Sequence, residues 1–412
     1  MDVVFIAPAY PPEMPEFTRG LAAAGARVLG IGDTPRHMLA PRVKEALHDY
    51  LHVPKILDED DVLARAHAWL RGRNVDRVES LWEPTVILAA RMRERFGLPG
   101  MSVDTVLGFR DKQLMKERIA AAGLRVPHAA RCRTETEVRS AAERIGFPLI
   151  VKPIAGAGSA DTFRVDDPGT LDRVLARVRH VPEVSVEEFV DGDEFTYDTI
   201  CVDGSPAYEN VAQYLPRPLV ARSIESISPI ICTVRDMLQP GLQPGLELGR
   251  GVLKALGMGT GFTHMEWYRK ADGEVVFGEI GCRVGGARLV DQMNFTSNQD
   301  LFLGWAQAIT GQRPALAKPR LYNTAIIFKR ARGQGRIARV DGLQAFRARH
   351  GDALCVSDLR PLGAWRRDWT QTLVSDGFLI VRHKEWTKAL DIARDAANHV
   401  TLWAATLSLI HI

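Results

Sequence analysis

The sequence predicts an α/β and α+β multidomain protein, and three observations carry that reading. At 412 residues the chain exceeds what one hydrophobic core usually supports. Residues 1–105 alternate strand-like and helix-like stretches, the pattern of an open α/β unit. Beyond Gly108 the pattern changes to pairs of helices, short buried strands and a hairpin, and the last stretch is strand-rich. Cuts near these changes give units 1–105, 106–190, 191–320 and 321–412.

The elements follow in order. Val3 to Ala7 reads as a first strand, then come a Pro-rich turn, a helix over Phe17 to Ala24, Gly25 as its stop, and a strand over Arg27 to Ile31. A strand near Val75 to Leu81 leads into a helix from about Thr85 to Phe96. No GxGxxG follows the first strand, so no dinucleotide is assigned, and Asp33 after Gly32 reads as turn chemistry more readily than as a ribose acceptor. Arg110 to Ala122 and Glu135 to Ile145 read as helices ended by Gly123 and Gly146. Between them Pro127 opens a short strand, and Pro148 to Pro153 is a buried strand that delivers Lys152. Strands continue over Val184 to Val190 and Glu194 to Val202. Residues 215–245 are proline-bearing and mixed in polarity, and read as a long loop, uncommon unless functional. Helices are expected over Glu247 to Leu256, Asn298 to Thr310 and Lys388 to His399, while Leu407 to Ile412 fits no element and reads as a non-native tail.

Composition excludes several classes. Basic residues (53) nearly balance acidic ones (50) and are scattered, which argues against a nucleic-acid binder. The N-terminus lacks a basic leader and runs from Asp2 into Pro8, so it reads as a strand rather than a signal peptide, and no stretch offers the roughly 20 apolar residues of a membrane span. The expectation is a soluble, cytoplasmic protein. Five cysteines without paired spacing exclude a zinc site or disulfide framework, and Cys282 alone stays open because of where it sits.

The run Phe262 to Arg283 holds the most informative pattern. Asp272-Gly273 is a hairpin signal; if these two form the turn, Ala271 faces Glu274 and Glu266 stands opposite Glu279. Two carboxylates would then leave one sheet face with side-chain roots about 4.5 to 5.5 Å apart. Like charges there destabilise a hairpin unless a cation lies between them, so the pair reads as a site for a hard divalent ion such as Mg²⁺.

Other residues are open to two readings each. Lys152 ends an apolar strand before Ile154-Ala-Gly-Ala-Gly-Ser-Ala160; it either meets a phosphate under backbone amides or snorkels beside an ordinary loop. Glu187, Glu188, Asp191 and Glu194 surround a turn that alone reads as a solvated acidic turn, though Glu194 could accept from a ribose diol. Only one of Glu187 and Glu188 can enter a given cleft. Lys112 by itself is an exposed helix lysine. Arg283 and Arg288 flank Val284-Gly-Gly-Ala, where guanidinium groups could neutralise a phosphoryl group or hold a carboxylate; Arg283 is favoured because the strand positioning Glu279 positions it too. His264 shares the parity of Glu266, as a second donor or as a packed histidine.

Taken in order, Lys112, Lys152 with its small-residue loop, Glu187-Glu188-Phe189-Val190, Glu194, Glu266 and Glu279-x-x-x-Arg283-x-Gly-Gly resemble the ATP-grasp superfamily over about residues 106–312. The resemblance implies an N-terminal pre-ATP-grasp α/β domain (1–105), a lid (106–190) and a catalytic subdomain with the metal hairpin (191–320), two α+β subdomains clasping ATP. A small C-terminal α+β region (321–412) completes the chain. It implies that Lys112 and Lys152 contact the nucleotide, that Gly156, Gly158 and Ser159 cover its phosphates, and that Glu187, Glu188, Phe189 and Val190 recognise adenine. Glu194 would hold ribose, Glu266 and Glu279 two Mg²⁺ ions (or Mn²⁺), and Arg283 an acyl phosphate, with Arg288 and His264 near the substrate. Gly281 departs from the common Glu-x-Asn-x-Arg pattern, so that water or a neighbouring group replaces the Asn ligand or the second metal is weaker.

The implied activity is a carboxylate–amine ligation through an acyl phosphate, on small-molecule acids and amines, in a homodimer, and is most similar to amino-acid or dipeptide ligases. The alternatives are a biotin-carboxylase-like or purine-pathway carboxylase using bicarbonate, and a nucleotide-binding regulator without turnover. The sequence places substrate specificity in residues 215–245, with Arg217, Arg222 and Glu225, and in the C-terminal region.

Overall fold

The computed structural model describes residues 1–154, 162–316 and 319–406. The N-terminal unit is a parallel sheet in the order Leu47–His52, Arg27–Gly32, Asp2–Ile6, Arg77–Glu79. Val3, Val4, Phe5 and Ile6 are all fully buried, as expected of a strand covered on both faces. Helix Met14–Ala23 starts three residues earlier than Phe17 and drives that ring edge-on against Phe262 and Trp305, with centroids 6.3 and 5.2 Å away. The N-terminal unit therefore shares a hydrophobic core with the sheet that carries the hairpin. Asp33 is a turn residue, its carboxylate accepting from the Ile56 amide.

The lid is an antiparallel sheet in the order Ala129–Cys132, Val184–Glu188, Leu149–Pro153, Phe163–Val165, with helices Glu135–Ile145 and Pro168–Val178. The first of these helices has the expected bounds because Thr134 and Glu137 cap it reciprocally. The lid has a core of its own, built on Val138, Leu149, Val151, Leu171 and Val186. Helices Val103–Gly108 and Lys112–Ala121, expected in the lid, instead place Val106, Met115 and Ile119 in one core with Phe195, Tyr197 and Trp267. They belong to the catalytic body.

That body is one eight-stranded sheet, ordered Val275–Gly281, Gly261–Arg269, Asp193–Val202, Ser205–Leu215, Ile230–Thr233, Asn323–Phe328, Gly377–His383, Leu354–Leu359. Two expectations change here. Residues 215–245 are not a long loop: they supply helix Pro218–Ala221 and the buried strand Ile230–Thr233, which pairs with Ala212–Leu215 on one side and Thr324–Ile327 on the other. C-terminal strands Asn323–Phe328, Gly377–His383 and Leu354–Leu359 consequently continue this sheet across residue 320, where a boundary between two units was expected.

The helix expected over Asn298 to Thr310 is present as Leu301–Ile309; an unanticipated helix, Leu289–Ser297, precedes it and ends where Asn298 takes a left-handed conformation with φ 47°. Helix Trp386–His399 is followed by strand Thr401–Ala405, which joins Arg332–Gly333 and Arg336–Asp341 in a small sheet. The tail from Leu407 to Ile412 lies outside the described residues. No helix among the described residues is long and apolar enough to cross a membrane.

Candidate functional site

Glu266 and Glu279 are cross-strand partners, as the sequence requires, but by a different route. The turn is a three-residue loop, Ala271 to Gly273, closed by Lys270 N–H donating to Glu274 O (2.9 Å), with Gly273 at φ +90°. Ala271 therefore does not face Glu274. Pairing runs Arg269 with Val275, Tyr268 with Val276 and Trp267 with Phe277; Gly278 is then an extra residue, and Glu266 meets Glu279. The longer turn and the bulge each shift the register by one, in opposite senses. Glycine is required at the bulge, because a Cβ on residue 278 would lie 2.8 Å from the Glu266 carbonyl oxygen.

The two carboxylates open into a cleft of about 1150 Å³, counting its mouth, between lid and body. Lys112, Lys152, Glu187, Phe189, Val190, Glu194, His264 and Arg283 line it too, and Glu188 also borders it although strand alternation was expected to admit only one of the two neighbouring glutamates. Gly156, Gly158 and Ser159 lie outside the described residues. Arg288 does not line the cleft: its amide donates to Glu13 and its guanidinium lies 3.7 Å from Asp291.

The cationic side of the cleft is held by carboxylates. Lys112 Nζ donates to Glu279 Oε1 (3.0 Å). Burial would raise the Glu279 pKa, but Lys112 and then Lys152 hold it below the ordinary range. Glu187 is engaged within the protein: it accepts from Lys116 Nζ (2.7 Å), Ser185 Oγ (2.7 Å) and Lys152 Nζ (2.9 Å). Glu188 faces the opposite way and pairs with Arg125 at 2.7 Å, as the strand period demands. The Glu188 and Phe189 amides are taken by the carbonyls of His128 and Pro148.

Glu194, only 4% exposed, is pushed up to about 8 by burial and by Glu266, with Arg217 opposing. It is a carboxyl that can stay protonated near neutrality and donate a hydrogen bond. Arg217 pairs with Glu194 at 3.2 Å and lies over the rings of Phe189 and Tyr268.

His264 is neither free nor merely packed. Its Nδ1 lies 2.6 Å from Asp198 Oδ1, which fixes the ring and aims Nε2 to within 3.9 Å of Glu266 Oε1. Tyr214 Oη donates to the same Glu266 oxygen at 3.0 Å. The histidine, the tyrosine and the aspartate behind them orient one of the two carboxylates.

Glu83 stands beside Gly281. A Cβ there would lie 3.0 Å from Glu83 Oε2, so a carboxylate from the N-terminal unit fills the space above the glycine. Glu83 accepts from Arg283 Nε at 2.6 Å and also from Arg110, and these two arginines hold it below the ordinary carboxylate range against the effect of burial. Cys282 is buried outside this cleft, its thiol pushed up to about 12 by burial, so it is inert. Glu83, Arg110, Lys116, Tyr214 and Asp198 are site residues that the sequence reading missed, whereas Arg217, expected to bear on substrate specificity, does line the cleft. Only Lys116 carried a local signal, one helical turn beyond Lys112.

Two hard oxygen ligands beside an open, cation-lined cleft suit Mg²⁺, which commonly takes one or two carboxylates and completes its shell with phosphate oxygens and water. Among the described residues no group of three or more His, Cys, Asp or Glu that could hold a metal ion converges on one point.

Known proteins place the chain. Residues 111–192 match the family model described as Carbamoyl-phosphate synthase L chain, ATP binding domain. Over 218 residues the chain is 26% identical to an L-arginine-specific L-amino acid ligase of Bacillus subtilis, covering 51% of this chain and 52% of that protein. The chain thus spans about half the length of that relative. An L-amino acid ligase structure from Bacillus licheniformis superposes with TM-score 0.78 at 18% identity, covering 98% of this chain and 99% of that one. A phosphoribosylglycinamide synthetase from Anaerococcus prevotii does so with TM-score 0.73 at 14% identity, over 98% and 99% of the two chains. At these identities the structural likeness is one of fold, and it extends from the first strand through the lid and hairpin to the C-terminal strands. The chain is a protein of the ATP-grasp fold.

Proposed function

We propose that the protein is an ATP-dependent carboxylate–amine ligase, acting on amino acids or similar small molecules. The observation that carries this reading is one cleft presenting Glu266 and Glu279 as a cross-strand pair opposite Lys112, Lys152 and Arg283. Such a constellation suits phosphoryl transfer, which needs positioning and charge neutralisation more than covalent help. The similarity to L-amino acid ligases supports the substrate class.

In this reading ATP lies between lid and body, with Lys112 and Lys152 on its phosphate oxygens, Phe189 and Val190 beside adenine and Glu194 at the ribose. Mg²⁺, two ions held at Glu266 and Glu279 and replaceable by Mn²⁺, would supply positive charge to the phosphates. A substrate carboxylate oxygen attacks the γ-phosphorus and ADP leaves, giving an acyl phosphate. Arg283, held rigid by Glu83, neutralises that intermediate. An amine then attacks the acyl carbon, the C–O bond to phosphate breaks, the amine proton is released, and the products are an amide and inorganic phosphate. His264 and Tyr214 keep Glu266 in place. Closure of the lid over Lys152 excludes water that would hydrolyse the acyl phosphate. The working assembly is a homodimer in the cytoplasm.

ADP release with mixed amino acids, with and without bicarbonate, tests the proposal. Turnover that requires two amino acids and yields an amide is expected. ADP formation dependent on bicarbonate alone would replace the ligase by a carboxylase, and tight binding of Mg·ATP without turnover would leave a regulator.

A further inference from the structure

A second recess, of about 1220 Å³ counting its mouth, lies where the segment after Ile224 meets the C-terminal strands, and it shares no lining residue with the cleft. Lys329, Arg330, Arg332 and Arg366 line it, and among its described lining residues the only carboxylate is Glu225. That carboxylate is already paired with Arg366.

Structural duties account for part of this charge. Lys329 donates to Ser228 Oγ (2.9 Å) and to the carbonyls of Ala396 (3.1 Å) and Ala397 (2.8 Å), in the last turn of helix Trp386–His399. Arg330, 7% exposed, donates through Nη1 to the carbonyls of Ala221 and Ile224 and stacks 4.4 Å from the Trp369 ring. These acceptors carry partial charges only. Arg330 Nε is buried without an acceptor among the described residues, and Arg332 has no carboxylate within ion-pair distance among them. Burial pushes Lys329 down to about 7 and Arg330 down to about 10, with Arg332 and Arg222 respectively adding to the effect; a bound anion would reverse both.

We propose that this recess binds a small multivalent oxyanion, a phosphate ester, polyphosphate or polycarboxylate, through the guanidinium groups of Arg332 and Arg330 with the hydroxyl of Ser226 as a further donor. Planar guanidinium forks match paired oxygens of either chemistry.

Equilibrium dialysis of the full chain with labelled pyrophosphate, and in parallel with labelled citrate, tests the site. Saturable binding of at least one is expected, retained when the cleft is disabled by Lys152→Ala and weakened about tenfold by Arg332→Ser, the loss of a charged hydrogen-bonding group. Arg332 is exposed, so that variant keeps the fold, and unchanged far-ultraviolet circular dichroism checks it. The tighter of the two probes identifies the anion as phosphate-bearing or carboxylate-bearing. Absence of saturable binding at millimolar concentrations of both, or binding that Lys152→Ala removes and Arg332→Ser leaves intact, overturns the proposal.

Discussion

Replacing Glu187 by glutamine removes one negative charge from a point where two ammonium groups converge. In the native protein this carboxylate, 4% exposed, accepts from Lys116, Lys152 and Ser185 at 2.7 to 2.9 Å. Burial alone would raise its pKa, but Lys152 and Lys116 hold it far below the ordinary range. Glutamine keeps the shape and leaves two buried cations sharing a neutral acceptor. Breaking a buried pair in this way costs about 3 to 5 kcal/mol.

Lys116 spans from the body helix to a lid strand, so the loss falls on the lid. Hydrogen exchange of amides in Leu149–Pro153 and Val184–Glu188 should accelerate by roughly two to nearly four orders of magnitude, while the N-terminal sheet keeps its protection. Adding Lys116→Met to Glu187→Gln removes one of the two stranded charges, the more deeply buried one, and should recover about half of the loss. Because the native carboxyl is held low, its contribution is fully present above about pH 4.3 and disappears only as acid approaches the folded value. Less than tenfold acceleration in Glu187→Gln, or a double variant no better than the single one, would refute this account.

Three further outcomes follow from the site. Gly278→Ala should cost about 1 to 3 kcal/mol in unfolding titrations, since its Cβ meets the Glu266 carbonyl at 2.8 Å; a neutral variant would mean the bulge has slack. Glu279→Gln should abolish ADP release and Lys152→Ala should raise the KM for ATP about tenfold or more, whereas an unchanged rate in the first, or an effect confined to the amine in the second, would misplace those residues. Glu194 binds its proton in the folded state up to about 8 but only to about 4.3 when unfolded. Its contribution to stability is therefore greatest below that lower value and is lost as pH rises to about 8. Glu194→Gln should flatten the fall of the thermal midpoint over that range, and an identical slope in both proteins would remove Glu194 as its source.

Legibility from sequence followed the range of the interactions involved. Helix Glu135–Ile145 was readable to the residue because its capping box is local. Glu266 opposite Glu279 was readable because side-chain alternation tolerates two register shifts that cancel, although neither the three-residue turn nor the Gly278 bulge was anticipated. Ile230–Thr233 was hidden: four residues in a proline-bearing stretch become a central strand only through partners that begin at Ala212 and at Thr324. Glu83 was invisible for the same reason, since Arg283 is 200 positions away in the chain. The ordered list of lysines and glutamates located the cleft, while the residues that orient them come from distant elements and leave no spacing to read.

The separate core of the lid has a mechanical consequence. The N-terminal unit and the body are joined in one core through Phe17, Phe262 and Trp305, while the lid keeps its own. The two lysines facing the carboxylates therefore stand on different units, Lys112 on the body and Lys152 on the lid. The Lys116–Glu187 bridge ties these units together, so in the proposed cycle a lid that opens has to break it before Lys152 leaves the cleft.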